Sequence, residues 1–279
     1  MNKWKTILAT CLLLAATTVL AQGETACGQH GQAHADSCCL HKNPRPGSRS
    51  LLFGIGSVNI LDTYISQEEY RGTEVRIIGR NDHWLKKHPS WHRIMTSSGS
   101  VGFATPRADN VKDLSGLFTF AYAMRHEWRL GTQWSIEAGA QAEAGVGFLY
   151  NTRNSNNPAQ ARLYLNLGPS AAASYSFSLF RKAMRLQYEV TAPLVGLVFS
   201  PNYGQSYYEI FSRGNYDHNV VPTTTFCAPT LRHSLTLDIP LRRSAIRIGY
   251  MGDIQQAEVN NLKYHTYSHL FLIGYHKNI

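Results

Sequence analysis

The stretch WSIEAGAQAEAGVGFLY, Trp134 to Tyr150, decides the fold. Apolar side chains recur at every second position, from Trp134, Ile136 and Ala138 through to Val146, Phe148 and Tyr150. Small or charged residues, among them Ser135, Glu137, Glu143 and Gly147, fill the positions between. A period of two means a strand with one apolar and one polar face. The run has seventeen residues, whereas an ordinary strand has about 5–6. A strand that crosses an outer membrane at a tilt needs about 9–11, so one of this length crosses and still projects beyond.

The same alternation returns along the chain. GLFTFAYAMRHEWRL sets Phe118, Phe120, Tyr122, Met124, Trp128 and Leu130 against Thr119, Arg125, Glu127 and Arg129. AMRLQYEVTA sets Met184, Leu186, Tyr188 and Val190 against Arg185, Gln187, Glu189 and Thr191. LRHSLTLDI and IRIGY repeat the pattern, with Arg232, Asp238 and Arg247 on the polar side, and YSHLFLIGYHKNI follows it less cleanly. The pattern predicts ten strands, near residues 51–61, 73–81, 91–105, 115–130, 133–150, 161–178, 183–198, 228–240, 243–255 and 265–277. Short connections (130–133, 178–183, 240–243) alternate with longer ones (106–114, 151–160, 199–227, 256–264). This is the short-turn, long-loop asymmetry of an antiparallel, up-and-down transmembrane β-barrel, and an even strand number returns both ends to the turn side.

A lipid-carrying barrel of the lipocalin type produces the same alternation with its apolar face inward. Strand length argues against it. So do the aromatic residues at both ends of the 134–150 face, which resemble the girdles of a lipid-facing band. Basic pairs in the predicted turns (Lys86/Lys87, Arg181/Lys182, Arg242/Arg243) read as solvated turns or as contacts to inner-leaflet phosphates. On the polar faces Arg125, Arg129, Arg185, Arg232 and Arg247 match Glu127, Glu137, Glu143, Glu189 and Asp238. Such balance favours cross-strand ion pairs over a ring of one sign. Barrels near eight strands are filled by their own side chains and open channels need about 16–18, so the expected lumen is largely closed.

The N-terminus reads as an export leader over 1–21: Lys3 and Lys5, an apolar run from Ile7 to Leu14, and a small-residue cleavage site at Ala21. That run is too short to span a membrane as a helix. The formal charge is +9. Export argues against a nucleic-acid partner and favours anionic outer-membrane lipids as the counter-charge. Residues 22–50 lack strand periodicity and read as a flexible arm before the barrel of 51–279. The arm offers Cys27, His30, His34, Cys38, Cys39 and His41 as candidate metal ligands. Disulfides from Cys27 to Cys38 or Cys39 compete with metal capture, because export permits them. No cofactor is implied.

Three segments carry candidate chemistry. YNTRNSNNPAQAR, with Asn154, Ser155, Asn156 and Asn157, is similar to the rim of outer-membrane lipid hydrolases. Those place a nucleophilic serine two residues after a histidine, and here that position is Arg153. Without an imidazole nothing nearby takes the hydroxyl proton, and an Asn/Pro turn explains the segment. His126 is assigned to the lipid face by its parity. Asp62, Glu68 and Glu69, with Asp217 and His218, could mimic the acidic pairs of omptin proteases, but no motif surrounds them. FSPNYGQSYYEIF, with Tyr203, Tyr207, Tyr208 and Glu209, reads as a long loop anchored by its aromatics, or as a platform that stacks a sugar.

With these segments in view, the chain resembles a family of exported proteins of unknown function from Gram-negative, Bacteroides-type bacteria. The resemblance runs from about Leu51 to the C-terminus and rests on LDTYISQEEYRG (Leu61 to Gly72), YNTRNSNNPA, FSPNYGQSYYEIF and the final IGY. It implies a β-rich outer-membrane protein and supplies no catalytic residue. The motifs map to predicted outer loops, where binding is decided. The expected function is a small non-enzymatic outer-membrane barrel whose loops bind a surface ligand or envelope partner. Its candidate ligand residues are Asp62, Tyr64, Asn154, Asn156, Asn157, Tyr203, Tyr207, Tyr208 and Glu209. The rival is a rim lipid or lipid A hydrolase with Ser155 as nucleophile.

Overall fold

A computed structural model describes residues 47–107, 112–152, 158–242 and 244–278. It contains strands β1 (Ser48–Asp62), β2 (Ser66–Trp84), β3 (Trp91–Thr105), β4 (Asp113–Leu130), β5 (Trp134–Asn151) and β6 (Ala159–Leu179). There follow β7 (Lys182–Thr191), β8 (Val195–Phe199), helix α1 (Tyr207–Phe211), β9 (Val220–Thr224), β10 (Leu231–Pro240), β11 (Ala245–Val259) and β12 (Leu262–Asn278). All pairs are antiparallel, and β1 pairs with β12 while β5 pairs with β6, so the sheet closes on itself. Ten strands make the wall; the short β8 and β9 form a hairpin beside the upper part of β6 that continues β7 and β10 towards the loop end. The fold is an all-β, up-and-down barrel.

Its polarity is inside-out. On β5, Trp134, Val146, Phe148 and Tyr150 are exposed while Glu137, Gln141, Glu143 and Asn151 are buried. The exposed belt includes Leu51, Phe53 and Ile77 on one side of the barrel and Phe118, Phe120, Leu163, Leu165 and Leu167 on the other. A continuous apolar exterior with charge inside is the arrangement a barrel needs in lipid, and it is the reverse of a soluble lipid carrier. Aromatic rings collect at the turn end: Trp134 lies 4.7 Å from Tyr175 and His126 4.5 Å from Trp128. Among the described residues no helix is long and apolar enough to cross a membrane.

The structure corrects several boundaries. LDTYISQEEYRG is mostly strand, with only residues 63–65 turning, so β2 is longer than the predicted 73–81. Its outward positions Arg71, Thr73, Gly79 and Asn81 are polar or small, which hides the alternation. The expected long connection 256–264 is a tight turn at Asn260 and Asn261, both left-handed with φ of 50° and 61°. Arg129 and Glu127 pair at 3.2 Å at the turn end, with the Glu127 side chain buried and Arg129 largely exposed. The less regular β12 also has a cause: Leu270 and Leu272 face inward and join Leu52, Ile78 and Met251 in a buried apolar cluster.

Candidate functional site

The alternation of β2, β4, β5, β7, β10 and β11 delivers charged side chains to the axis, where they tie non-adjacent strands together. Asp253 accepts from Arg76 at 2.6 Å and from Arg232 at 3.1 Å. Arg76 also binds Glu74, and Arg232 binds Glu143 at 2.5 Å. Nearer the turn end, Glu189 accepts from Arg80 at 2.6 Å and from Arg125 at 2.7 Å. Below that, His92 Nδ1 lies 2.8 Å from Asp82, and Arg247 grips Asp238 through two bonds of 2.6 and 2.7 Å. Each Arg fork meets carboxylates, which are strong, geometrically fixed contacts. Arg76, Arg80, Glu74, Asp82, His92 and Asp253 belong to this network, and the polar-face list drawn from sequence omits them.

Three cavities, each with room for several waters, lie along the axis and share these ionic groups as lining. An upper cavity of about 100 Å³ presents the polar groups of Asp62, Glu143, Arg162, Tyr164 and Tyr264 within a lining that is mostly apolar, Ile60, Leu149, Val259 and Leu262 among it. A middle one of about 90 Å³ lies between Arg76 and Arg232 above and Arg80 and Glu189 below. A lower one of about 90 Å³ touches Arg80, Asp82, Glu137, Arg185 and Arg247.

The upper cavity is the best-built site. Arg162 donates to Asp62 at 2.9 Å while its guanidinium lies 3.3 Å above the Tyr264 ring, so its position is fixed from two sides. Tyr164 donates to Glu143 at 2.9 Å. Gly145 makes room for the Tyr164 ring, since a Cβ there would overlap it. The charged groups here already have partners, so what they leave for a guest is hydrogen-bonding capacity without an unpartnered charge.

Residues 200–219 close the mouth. Helix α1 is capped by a reciprocal box: Ser206 Oγ accepts from Glu209 N–H at 3.3 Å, and the Ser206 N–H donates to Glu209 at 2.8 Å. These bonds hold the Glu209 carboxyl below its ordinary pKa. Ile210 is fully buried under the helix. The Tyr207 hydroxyl donates to Gln160 Oε1 at 2.9 Å and accepts from the Ala161 N–H at 2.7 Å. Tyr64 meets Tyr207 edge to face at 5.9 Å and donates to the Gln205 carbonyl at 2.9 Å. Burial pushes the Tyr207 hydroxyl up to about 12, and it pushes Tyr64 up as well, with Tyr207 and Asp62 adding to it.

Of the residues singled out in the sequence, Asp62, Tyr64 and Tyr207 therefore converge at the mouth. Glu209 serves as a cap, and Tyr203 and Tyr208 point outward, largely exposed. Asp217 and His218 pair with each other on the exposed surface, and His126 faces outward beside Trp91 and Trp128. Arg153, Asn154, Ser155, Asn156 and Asn157 lie outside the described residues, as do the arm ligands Cys27, His30, His34, Cys38, Cys39 and His41. Among the described residues no group of three His, Cys, Asp or Glu side chains could hold a metal ion. Sequence reasoning missed Arg162, Tyr164 and Tyr264; Arg162 and Tyr164 share the inward parity of β6, and that alternation could have found them.

Fold and site together define a β-barrel of the outer-membrane type, with an ion-braced lumen and a covered loop-end cavity. The chain belongs to a family of proteins of unknown function (DUF3316), whose model matches residues 7–279 and so takes in the arm. No curated protein is recognisably similar in sequence. Among solved structures, the transport unit of the autotransporter AIDA-I from Escherichia coli is similar, with TM-score 0.48 and 8% identity over 86% of this chain and 92% of that one. The outer membrane protease OmpT from Escherichia coli gives TM-score 0.44 and 7% identity, covering 85% and 97%. An outer membrane channel from Pseudomonas putida F1 gives 0.44 and 9%, covering 89% and 100%. These likenesses concern the course of the chain alone.

Proposed function

We propose that the protein is an exported, non-conducting outer-membrane barrel that holds a small, uncharged, hydroxyl-bearing ligand in its upper cavity. The leader at 1–21 delivers it across the inner membrane of a Gram-negative cell, and the apolar belt stands in the outer membrane. The observation that carries this reading is the pairing of every nearby charge. Arg162 with Asp62, Arg76 with Asp253 and Glu74, and Arg232 with Asp253 and Glu143 leave no carboxylate or guanidinium at the cavity without a partner, amid a largely apolar lining. A charged guest would have to break one of these pairs, whereas hydroxyl groups add to them. Since a water needs about 10–15 Å³, a cavity of about 100 Å³ holds several waters or a glycerol-sized polyol in their place. The 200–219 loop covers the guest, and its Tyr64 and Tyr207 contacts set how readily it lifts.

The test is saturation-transfer NMR on the folded barrel with glycerol and related small polyols, comparing wild type with Tyr164→Phe and Arg162→Ala. Transfer to the wild type that falls at least threefold in both variants is the expected result. Transfer that is absent, or equal in all three proteins, overturns the reading.

A further inference from the structure

Above the β10–β11 ladder the wall has an interval where neighbouring barrel strands do not zip together. The β10–β11 ladder ends at Leu231 and Ile254, and above it β9 pairs with β8 alone. Residues 255–259 of β11 thus have ladder partners only in β12. Between β9 and β10 the chain bulges through residues 225–230. The bulge is tied firmly to one side: the Thr225 N–H donates to the Leu194 carbonyl at 3.1 Å and its hydroxyl to the Pro193 carbonyl at 2.9 Å. Within the bulge, the Ala228 N–H donates to the Thr224 carbonyl at 2.8 Å. Towards β11 the one backbone bond runs from the Glu258 N–H to the Cys227 carbonyl, 2.8 Å. The panel is thus hinged along one edge and held on the other by this one backbone bond and, at its far end, by the Asn260 amide on the Ser200 and His218 carbonyls. A ladder would supply several backbone bonds there, so the panel opens at lower cost than a zipped strand pair.

The two sides of this seam differ as an amphiphile's two ends do. Inward, Ala228 and Thr230 of the bulge and Val259 of β11 line the same upper cavity as Arg162 and Tyr164. Outward, Phe226 and Val220 are strongly exposed. An extended peptide could also add to an unpaired edge. The β9 edge argues against that, because Pro222 sits in its middle, where a missing N–H blunts strand addition.

We propose that the seam between the 225–230 bulge and residues 255–259 is a lateral portal, through which a single-chain amphiphile lodges a glycerol-sized, uncharged head in the upper cavity while its tail stays in the lipid. This rests on the ligand reading above and names the route and class of the ligand. The probe is 1-octylglycerol bearing a diazirine on its glycerol head, with a diazirine glycerol methyl ether as the tailless control. Both are mixed with the full-length barrel in phosphatidylcholine vesicles, flashed at early times and mapped by peptide mass. Glu258→Cys, in a background with Cys11, Cys27, Cys38 and Cys39 changed to serine, staples the seam to Cys227 on oxidation. Expected are cavity adducts in the reduced form, an early yield at least tenfold lower in the oxidised form, recovery with reductant, and tailless labelling unchanged. Glu258→Pro removes the latch N–H without a disulfide and should raise the early yield at least threefold.

Equal yields from stapled and open protein, or no gain in Glu258→Pro, overturn the portal while tailless labelling keeps the ligand reading. Cavity adducts from neither probe overturn both. If an extended peptide protects the seam and the octyl probe does not, the portal is overturned in favour of strand addition.

Discussion

The Arg125 guanidinium, on β4, donates to the Glu189 carboxylate, on β7, at 2.7 Å across the lumen, over a gap that two intervening strands span in the wall. Arg125 is fully buried, and the same carboxylate also receives Arg80 from β2 at 2.6 Å. One carboxylate therefore braces three strands. Glu189→Gln leaves both guanidinium groups with only longer carboxylate contacts, Arg80 to Asp82 at 3.9 Å and Arg125 to Glu137 at 3.6 Å, while Arg125 keeps its neutral Ser170 acceptor. Removing one partner of a buried pair costs about 3–5 kcal/mol. We expect the unfolding free energy read from the urea dependence of the heat-modifiable gel band to fall by that much, and an unchanged value would show the brace to be energetically idle.

The ionic layers also decide conduction. The wild type is expected to give no steady current in a planar bilayer, because the Arg76–Asp253–Arg232 and Arg80–Glu189–Arg125 layers both cross the axis. Truncating one layer, as Arg76→Ala with Arg232→Ala, leaves the other in place and should remain silent. Adding Arg80→Ala and Arg125→Ala should admit small, steady ionic currents. A current from the wild type, or from a single-layer variant, would place the barrier elsewhere.

The lid over the mouth depends on neutral tyrosines. The Tyr207 hydroxyl both donates and accepts, and its pKa of about 12 exceeds the ordinary value of 10.0. A raised folded-state value means that the stabilisation is fully present below pH 10 and is lost as the pH climbs through 12. Hydrogen exchange of the Ala161 N–H should therefore accelerate across that window. Tyr207→Phe should accelerate it at all pH values, by about 1 kcal/mol of local protection.

The turn between β6 and β7 is strained. Phe180 and Arg181 both take left-handed backbone, with φ of 51° and 60°, where Asn and Gly are the favoured residues. Phe180 is largely exposed, so packing does not compensate. Phe180→Asn with Arg181→Gly should raise stability by about 1–2 kcal/mol in the urea assay. A loss would mean that Phe180 is held by the surrounding lipid.

How far these features were readable in the sequence follows from what each side chain faces. On β4, β5, β7 and β10 the outward residues meet lipid and the inward ones meet charge, so alternation survives and gives the fold and the strand order. On β2 the outward face carries Arg71, Thr73 and Asn81, and on β12 the inward face carries Leu270 and Leu272, which blurs the pattern from opposite sides. The cross-lumen pairs were not readable, because which Arg meets which carboxylate depends on strand tilt and shear, which no local pattern encodes. The bulge at 225–230 escaped for a similar reason: it interrupts pairing rather than periodicity.

Asn260 shows how a single turn residue joins the wall to the lid. Its left-handed backbone, φ 50°, lets β11 reverse into β12 within two residues. Its side-chain amide donates to the Ser200 carbonyl and to the His218 carbonyl, both at 3.0 Å, at the two ends of the segment that covers the mouth. The two roles separate by substitution. Asn260→Gly keeps the backbone conformation at little steric cost but removes the amide, so the barrel should hold its urea midpoint while protease cleavage within 200–219 accelerates several-fold. Asn260→Val removes the amide and opposes the left-handed turn, which costs about 1–3 kcal/mol, so cleavage and midpoint should both worsen. Equal cleavage in Asn260→Gly and wild type would mean that the lid is held by Tyr64 and Tyr207 alone, and the amide would then belong only to the turn.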